Sequence, residues 1–453
     1  MTAISPPEPI APGAARHPRG LFVLFAAEMW ERFSFYTMLA LFTLYLQNPD
    51  AGFGWTKAQA TGLYSNYLMF VYFSPLLGGW LADRKLGYRR SVMIGGLFFM
   101  AGHLLLSVRS LPVVYAALAC LVVGNGFFKP NVSAMVGNLY REGSHLKDRA
   151  YNIFYMGINI GAFLAPLVAE AVKQNFGVHV AFAVAAVGMV ISVTILWRFK
   201  GLIEGAEKRA PVAGEAPAVR RPIDNVPDRK RIGALIVIYL VVIVFWMVFH
   251  QNGSTLTYWA NDNTDWASSR VLSTIIWLLS FGSVSVDKVS GTLSSAINPF
   301  FVITLTFPLV WFWQWLDRRG REPATTTKIM CGMFLTAISF YLLYLGGKSG
   351  GDFGRVSPWW LIGAYAIITT GELMLSPMGL TLVSKVAPAH ARGVMMGGWF
   401  AATAIGNKLT MIGVYWDKWL HSTFFLVLGS AALVMGFVLL GLLRPLRKWM
   451  PGV

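Results

Sequence analysis

The chain has 453 residues, of which 55% are hydrophobic and only 13% are charged. Soluble globular domains carry about 25% charged residues, so this composition excludes a soluble cytosolic enzyme, a small disulfide-rich secreted module and a disordered protein. The net charge is +17. The two cysteines, Cys120 and Cys331, lie far apart in apolar segments, which argues against a disulfide or a Cys-x-x-Cys metal site. The composition is that of a membrane protein with several spans.

Apolar stretches of the length needed to cross the hydrocarbon core, about 20 residues, recur along the chain. Residues 270–282 are apolar but too short to cross, so an interfacial segment is expected there. No cleavable signal peptide is apparent, because the first apolar stretch is long and follows a proline-rich polar segment. Twelve spans are predicted, at 21–47, 58–82, 91–108, 111–137, 149–172, 178–197, 231–256, 291–316, 324–346, 358–384, 390–415 and 420–443.

Lys and Arg residues are unevenly distributed between the two sides of this topology. Alternate connecting segments, together with both tails, carry 27 of them, against 8 on the opposite side. Cytoplasmic segments hold the excess of positive charge in membrane proteins. Both termini are therefore expected in the cytoplasm. The expected location of the chain is the plasma (inner) membrane. The basic charge reflects topology, so no nucleic-acid partner is expected.

A charged, proline-rich segment divides the predicted spans into two groups of six. The loop after the second span of each group contains an Asp-Arg pair, Asp83-Arg84 in one and Asp317-Arg318 in the other. Each pair alone can be an ordinary juxtamembrane charge cluster, but its recurrence favours a parallel repeat with a site at the interface of the halves. The expected regions are a cytoplasmic tail, a six-helix bundle, a cytoplasmic linker, a second six-helix bundle and a cytoplasmic tail, at 1–20, 21–199, 200–230, 231–443 and 444–453.

This arrangement resembles the major facilitator superfamily. The resemblance implies an all-α membrane protein with twelve transmembrane helices in two pseudo-symmetric halves. In such transporters the binding site lies near the bilayer midplane, at the interface between the repeats.

The first predicted span contains ionisable residues at a depth where they are costly. Glu28, Glu31 and Arg32 interrupt its apolar sequence, and a charge at mid-span costs about 2.5–3.5 kcal/mol. With Tyr36, they fall on one face of a helix. One guanidinium cannot neutralise two carboxylates, so the remaining acid is expected to take up and release a proton near neutral pH. The alternative is a structural Glu28–Arg32 pair, which accounts for only one of the acids.

Equivalent spans of the two halves carry opposite charges. Lys129 lies in span 4 and Glu372 in span 10, each beside Gly and Pro residues that are expected to weaken the helix next to a cavity. One cation and one anion suit a zwitterion, with its carboxylate toward Lys129 and its ammonium toward Glu372. The alternative is an architectural salt bridge between Lys129 and a neighbouring span.

Polar and aromatic side chains supply further candidates. Asn159 in span 5 and Asn298 at the start of span 8 can hydrogen-bond either to a substrate or to another helix. His250 in span 7 is a candidate secondary proton site, although a single histidine is more often structural. Residue type alone makes Tyr72 and Trp399 packing residues as readily as ligand contacts.

Together the motifs resemble the proton-dependent oligopeptide transporter family, of the bacterial di- and tripeptide type, over nearly the whole chain. Any one motif is moderately specific, whereas the full set in the family's order is strongly specific. The segments that carry the resemblance are EMWERFSFY, GGWLADRKLG, GFFKPNVSAMVG, FYMGINIGAF, INPFF, GELMLSPMGL and GGWFAATAIGN.

The resemblance implies proton-coupled symport of di- and tripeptides into the cell by alternating access, without enzymatic activity, cofactor or metal. The expected partners are a small peptide, protons and membrane lipids, and the expected functional state is a monomer. Proton coupling is assigned to Glu28, Glu31, Arg32 and Lys129. Asp83 and Arg84 form the expected gating loop motif. Substrate binding is assigned to Arg32, Tyr36, Tyr72, Lys129, Asn159, Asn298, Glu372, Ser376, Trp399 and Thr403, with the peptide carboxylate toward Arg32 and Lys129 and its amino terminus toward Glu372.

The chain also departs from the family pattern. Phe35 replaces the first tyrosine of the usual pair, and Leu39 stands where many relatives have an arginine. His250 and Gln251 stand where members often have an acid, so the proton number and route are open. The linker lacks the two extra helices common in bacterial members.

Other functions remain as alternatives to peptide symport. A transporter of the same family that carries another small anionic or drug-like solute is the nearest of them. A membrane-embedded enzyme is disfavoured, because the seven histidines show no H-E-x-x-H spacing. A receptor or channel would not need buried charges of both signs in equivalent helices.

Overall fold

The structure, a computed structural model, describes residues 16–140, 146–207, 222–388 and 391–451. This part of the chain is almost entirely helical. The α-helices are α1 (Arg19–Gln47), α2 (Lys57–Leu81), α3 (Tyr88–Leu106), α4 (Leu111–Asn138), α5 (Leu146–Phe176), α6 (Val178–Arg198), α7 (Asp228–Phe249), α8 (Thr255–Asp262), α9 (Arg270–Leu279), α10 (Ile297–Asp317), α11 (Thr325–Ser349), α12 (Pro358–Val386), α13 (Arg392–Leu409) and α14 (His421–Trp449).

The long helices follow the predicted spans. Within the described ranges, every α-helix except the short α8 and α9 has 18 residues or more and overlaps one predicted span, with ends that differ from the prediction by at most seven residues. By length and composition, seven stretches of the described chain are apolar enough to cross a membrane. Other long helices are more polar, as α1 is with its four charged residues, Arg19, Glu28, Glu31 and Arg32. The all-helical membrane architecture is confirmed, whereas the count of twelve spans stays a prediction.

Three of the predicted spans combine an α-helix with a 3-10 turn. In span 7, α7 ends at Phe249, the turn His250–Gly253 follows, and α8 begins at Thr255. The turn Gly291–Ala296 precedes α10, and the turn Thr410–Tyr415 follows α13. By contrast, α4 continues through Pro130 and α12 continues past Glu372. The helix weakening expected around Lys129 and Glu372 therefore does not interrupt either helix.

The contacts divide the chain into two compact units. The first unit comprises residues 1–41 and 73–218, and the second comprises 42–72 and 219–453. The end of α1 and the beginning of α2 thus pack with the C-terminal helices. This division differs from the predicted halves, 21–199 and 231–443, because it follows contacts and not chain order. The halves as predicted stay a prediction.

Part of the predicted linker is tied to the first unit. After α6, residues Lys200–Ala206 form a 3-10 helix. The carbonyl of Ala206 accepts a hydrogen bond of 3.0 Å from Asn138 Nδ2, and Glu207 Oε2 accepts one of 2.9 Å from the backbone N–H of Arg89. The remainder of the linker, 208–221, lies outside the described residues, as do the tail residues 1–15.

Helix α9 matches the segment predicted to lie at the membrane interface. Its residues Val271, Trp277 and Leu278 are exposed, whereas Ile276 is buried. An amphipathic helix of this kind can lie in the interface with its apolar residues toward the acyl chains. The segment forms a short helix, and its interfacial placement stays a prediction.

Two glycines bring α2 and α4 into close backbone contact in the first unit. A Cβ atom on Gly78 would lie 1.9 Å from the carbonyl oxygen of Gly126, and one on Gly126 would lie 2.9 Å from the carbonyl oxygen of Ser74. Small residues of this kind let membrane helices approach until their backbones touch. The contact supports the stretch of α4 that carries Lys129.

We expect Gly78→Ala to destabilise the protein by about 1–3 kcal/mol, because the new methyl group overpacks a backbone contact. The measurement is the midpoint of thermal unfolding in detergent. Gly62→Ala, in the same helix, is the control, since its Cβ would meet no described atom within 4 Å. Equal midpoints for the two variants would contradict this account of the α2–α4 contact.

Candidate functional site

Helix α1 brings the three predicted charged residues of span 1 into one buried cluster. Glu28, Glu31 and Arg32 are only 1%, 0% and 3% exposed. Arg32 Nη2 donates to Glu31 Oε1 over 2.6 Å, and Arg32 Nε donates to Glu31 Oε2. Glu28 Oε1 lies farther away, 3.4 Å from Arg32 Nε. Glu31 is therefore the bidentate partner of the guanidinium.

This geometry distinguishes the two acids, which the sequence could not. A bidentate pair satisfies most of what a buried guanidinium and carboxylate need. Glu28 is left with a longer contact, and its Oε2 has no hydrogen-bond partner among the described residues. The pair that the sequence offered as a structural alternative, Glu28–Arg32, is thus the looser of the two. Glu28 is the acid whose charge is less well compensated.

Helix α4 contributes a second cation and an amide to the cluster. Lys129 is partly buried and interacts electrostatically with Glu28, Glu31 and Arg32. Asn125, one turn earlier, accepts a hydrogen bond of 3.5 Å from Arg32 Nη2. Asn125 was not predicted as a site residue, although its spacing of four residues from Lys129 placed it on the same helix face.

The cluster of Glu28, Glu31, Arg32 and Lys129 has a formal charge of zero when all four groups are ionised. We call it the charged cluster. One added proton makes it positive by one, which favours an incoming carboxylate. Groups of this kind can exchange a proton and can bind an anion.

The second unit holds a different polar cluster, around Glu372 on α12. Asn298 Nδ2, near the start of α10, donates to Glu372 Oε2 over 2.9 Å and to Thr369 Oγ1 over 2.9 Å. Glu372 is 9% exposed. We call Asn298, Thr369 and Glu372 the amide–acid cluster. It can accept a cation.

Thr369 was missed at the level of sequence. It precedes Glu372 by three residues, so the two side chains share a helix face. The nearby Thr370 has the same residue type, and nothing in the sequence distinguishes which of the two reaches the site. Only the position of Asn298 on another helix decides it.

Several other predicted residues make contacts within their own helix or its neighbour. Asn159 Nδ2 donates to the Tyr155 carbonyl over 2.9 Å, and Thr403 Oγ1 donates to the Trp399 carbonyl over 3.1 Å. Trp399 is buried, and a Cβ on Gly379 of α12 would overlap its ring, at 1.8 Å from the nearest ring atom. Ser376 lies one turn after Glu372 on α12 and is partly buried. In the first unit, the Tyr36 ring meets the Phe35 ring edge-on at 5.3 Å.

His250 and Tyr72 come together in the second unit. The His250 ring stacks on Trp246 at 5.0 Å and lies 5.6 Å from the Tyr72 ring. Gln251, the next residue, is fully buried; its Oε1 accepts from Thr255 Oγ1 over 2.8 Å and its Nε2 donates to the Thr410 carbonyl over 3.3 Å. The structure therefore places the predicted His250 among aromatic rings and gives Gln251 a structural role.

The predicted loop motif makes local contacts in an exposed position. Asp83 and Arg84 lie in a π-helical turn, Ala82–Leu86. Asp83 Oδ1 accepts a hydrogen bond of 2.7 Å from the Tyr88 hydroxyl, and the Arg84 guanidinium lies 5.0 Å from the centre of the Trp80 ring. These contacts fix the turn between α2 and α3.

Residues near the beginning of α2 form polar contacts that the sequence did not predict. Lys57 Nζ lies 2.8 Å from Asp262 Oδ2 and 3.4 Å from Asp417 Oδ1. Deeper in the same unit, Lys408 of α13 donates to Asn66 Oδ1 of α2. The 42–72 segment is thus held to the C-terminal helices by charged and polar groups.

No metal-binding arrangement accompanies these clusters in the described chain: no three His, Cys, Asp or Glu side chains gather there as ligands. The acids of the two clusters face a guanidinium, an ammonium or an amide. Charge pairing and proton exchange are the chemistry that these groups offer.

Comparison with known proteins supports the same family as the motifs. The POT family model matches residues 89–203 and 207–419. The chain is 30% identical to the di-/tripeptide transporter of Lactococcus lactis subsp. lactis, over 96% of this chain and 97% of that protein.

Two similar solved structures agree with this match. A mutant of peptide transporter POT in complex with alafosfalin is 30% identical, has a TM-score of 0.84 and is covered over 97% of both chains. A POT family transporter in complex with 5-aminolevulinic acid is 25% identical, has a TM-score of 0.85 and covers 97% of this chain and 99% of that one. The predicted fold class and family are confirmed: the chain belongs to the POT family of peptide transporters.

Proposed function

We propose that the protein is a proton-coupled symporter that carries di- and tripeptides into the cell by alternating access. Its family and its similarity to a di-/tripeptide transporter support the substrate class. The observation that carries the proposal is the charged cluster, in which Glu31 pairs with Arg32 while the buried Glu28 retains an oxygen without a described hydrogen-bond partner. A proton site directly beside a cation is what coupling requires.

The peptide binds through its two charged ends. Its carboxylate engages Arg32 and Lys129 of the charged cluster, and its ammonium engages Glu372, assisted by Asn298. Bidentate pairing with a carboxylate is the geometry that a guanidinium favours. The side-chain pockets and remaining polar contacts are supplied by Tyr36, Tyr72, Asn159, Ser376, Trp399 and Thr403.

Protonation couples to peptide binding through the charge of the cluster. When Glu28 takes up a proton, the cluster changes from neutral to positive, so Lys129 and the N–H groups of Arg32 that Glu31 does not hold can bind the peptide carboxylate. When the proton leaves toward the cell interior, Glu28 competes for the same cations and the peptide is released. One charge moving through 100 mV supplies about 2.3 kcal/mol, which corresponds to about fifty-fold accumulation.

We further propose that the polar contacts near the start of α2 act as a latch on the extracellular side. We name Lys57, Asp262 and Asp417 the extracellular latch. Their ion pairs are partly exposed, and such pairs contribute up to about 1 kcal/mol each. The latch can therefore open during each cycle without a large barrier. Lys408 of α13 and Asn66 of α2 add a deeper contact.

The remaining assignments follow the same scheme. The protein acts in the inner membrane as a monomer in contact with lipid. Both termini face the cytoplasm, because Lys and Arg are in excess on that side. His250 serves as a secondary proton site, and Asp83 with Arg84 forms the cytoplasmic gating motif. A second candidate function is transport of another small anionic or drug-like solute, which is favoured by the similar transporter structure that contains 5-aminolevulinic acid.

Replacing Glu28 should separate transport from proton coupling. In proteoliposomes, we expect Glu28→Gln to lose dipeptide accumulation driven by an acidic exterior while it retains dipeptide counterflow, because the substitution keeps the cluster permanently in the uncharged-acid form. Glu31→Gln should impair both activities, since it breaks the bidentate partner of Arg32. Accumulation by Glu28→Gln that still rises fully as the external pH falls would refute this assignment.

Replacing Glu372 should weaken the grip on the peptide ammonium. We expect Glu372→Gln to bind a free-amine dipeptide about ten- to a hundredfold more weakly, as for the loss of a charged hydrogen bond worth about 1.5–3 kcal/mol. Binding of the N-acetylated dipeptide should hardly change. The measurement is competition for labelled dipeptide uptake, and Glu204→Gln, at an exposed position, is the control. Unchanged free-amine affinity would remove the assignment.

Breaking the latch should open the extracellular side more often. In a background with Cys120 and Cys331 changed to Ser, Ser65→Cys places a thiol on the same face of α2 as Lys57, eight residues away. We expect Lys57→Gln to accelerate its labelling by a membrane-impermeant maleimide about fivefold, which corresponds to about 1 kcal/mol. Lys288→Gln, at an exposed position, is the control. Equal labelling rates would exclude the latch.

A further inference from the structure

The hydroxyl of Thr369 contacts the side-chain amide of Asn298, and the proposed function gives this contact no role. Thr369 is 0% exposed and lies three residues before Glu372 on α12. Its Oγ1 is 2.9 Å from Asn298 Nδ2, the same atom that donates to Glu372 Oε2. One amide nitrogen on α10 is thus held by two acceptors on α12.

The chemistry of these groups determines the orientation of the amide. An ionised carboxylate only accepts hydrogen bonds, so Asn298 must present its NH₂ group, and not its carbonyl, to Glu372. The NH₂ group has two hydrogens; one is used by Glu372 and the other by Thr369. The amide carbonyl, Oδ1, receives no hydrogen bond from a described residue. It therefore remains as an acceptor.

We propose that Thr369 is a positioning residue that makes the site selective for substrates with a free primary ammonium. By holding the second N–H of Asn298, Thr369 prevents the amide from rotating about its Cβ–Cγ bond. The Asn298 carbonyl then stays available, beside the Glu372 carboxylate, for a donor on the substrate. A primary ammonium has three N–H donors and can use both acceptors, whereas an acylated amine has one N–H and no charge. The inference rests on the proposed function, in which Glu372 binds the peptide amino terminus.

The neighbouring threonine shows that this contact is specific to one position. Thr370 Oγ1 donates to the Ala366 carbonyl over 2.8 Å, within its own helix. Such a bond to the preceding turn is an ordinary arrangement for a threonine in a membrane helix. Thr369 instead bonds to another helix, at the side chain that holds Glu372. Thr370 therefore provides a matched control of the same type, in the same helix turn.

The test compares Thr369→Val, which removes the hydroxyl at nearly constant volume, with Thr369→Ser, which retains it, and Thr370→Val. In proteoliposomes, the KM and maximal rate for a free-amine dipeptide are measured, together with inhibition by its N-acetylated form. Thr369→Val should raise the KM about fivefold, which matches one neutral hydrogen bond, with little change in maximal rate or in N-acetyl inhibition. Thr369→Ser should restore the wild-type KM, and Thr370→Val should resemble wild type.

Several outcomes would overturn the inference. One is that Thr369→Val distinguishes the free-amine dipeptide from its N-acetylated form as well as the wild type does. Another is that Thr369→Val weakens the binding of both dipeptides equally. The third is that Thr369→Ser does not restore the wild-type KM. Unfolding midpoints identify a misfolded variant, in which case Thr369→Ala replaces Thr369→Val with the same expectations. If Glu372→Gln no longer distinguishes the free-amine dipeptide from its N-acetylated form while the Thr369 variants still do, the role of Thr369 fails and the proposed function stands. If the wild-type protein transports no dipeptide, the proposed function fails as well.

Discussion

The cost of holding ionised groups within membrane helices governs the arrangement of both clusters. Each buried charge needs a compensating group, since an unpaired one costs several kcal/mol. Arg32 meets this need with a bidentate carboxylate, and Glu372 with an amide that donates to one oxygen. The Arg32–Glu31 pair and the Asn298–Glu372 pair differ in net charge. The first retains an ion pair that a proton can disturb, and the second retains a net negative charge that a substrate cation can neutralise.

The difference between Glu28 and Glu31 gives the proposed coupling its direction. Both acids are buried on one helix face, yet only Glu31 has a close bidentate contact with Arg32. A bound proton therefore removes more uncompensated negative charge at Glu28 than at Glu31. In the proposed cycle, the proton and the peptide carboxylate then bind together, because each changes the charge that the other meets. Tight pairing at Glu31 keeps Arg32 in place throughout.

Helix α1 takes part in both compact units. Its first part carries Glu28, Glu31 and Arg32 of the charged cluster, whereas Thr43, near its end, donates to the carbonyl of Gly253, the last residue of the turn His250–Gly253. Helix α2 does the same, with Gly78 packed on α4 and Lys57 in the latch. In the proposed function, these two helices connect the proton site with the extracellular contacts.

Most of the fold could be predicted from the sequence, because apolar stretches of membrane-spanning length are distinct and charges within them are rare. The same two signals identified Glu28, Glu31, Arg32, Lys129 and Glu372 as candidates. Helical periodicity gives the face on which a residue lies, but not the partner that a neighbouring helix supplies. Only the tertiary structure decided that Glu31 pairs with Arg32, that Asn125 and Thr369 join the clusters, and that residues 42–72 pack with the C-terminal helices. Each of these depends on how side chains from distant segments approach one another, which local sequence does not specify.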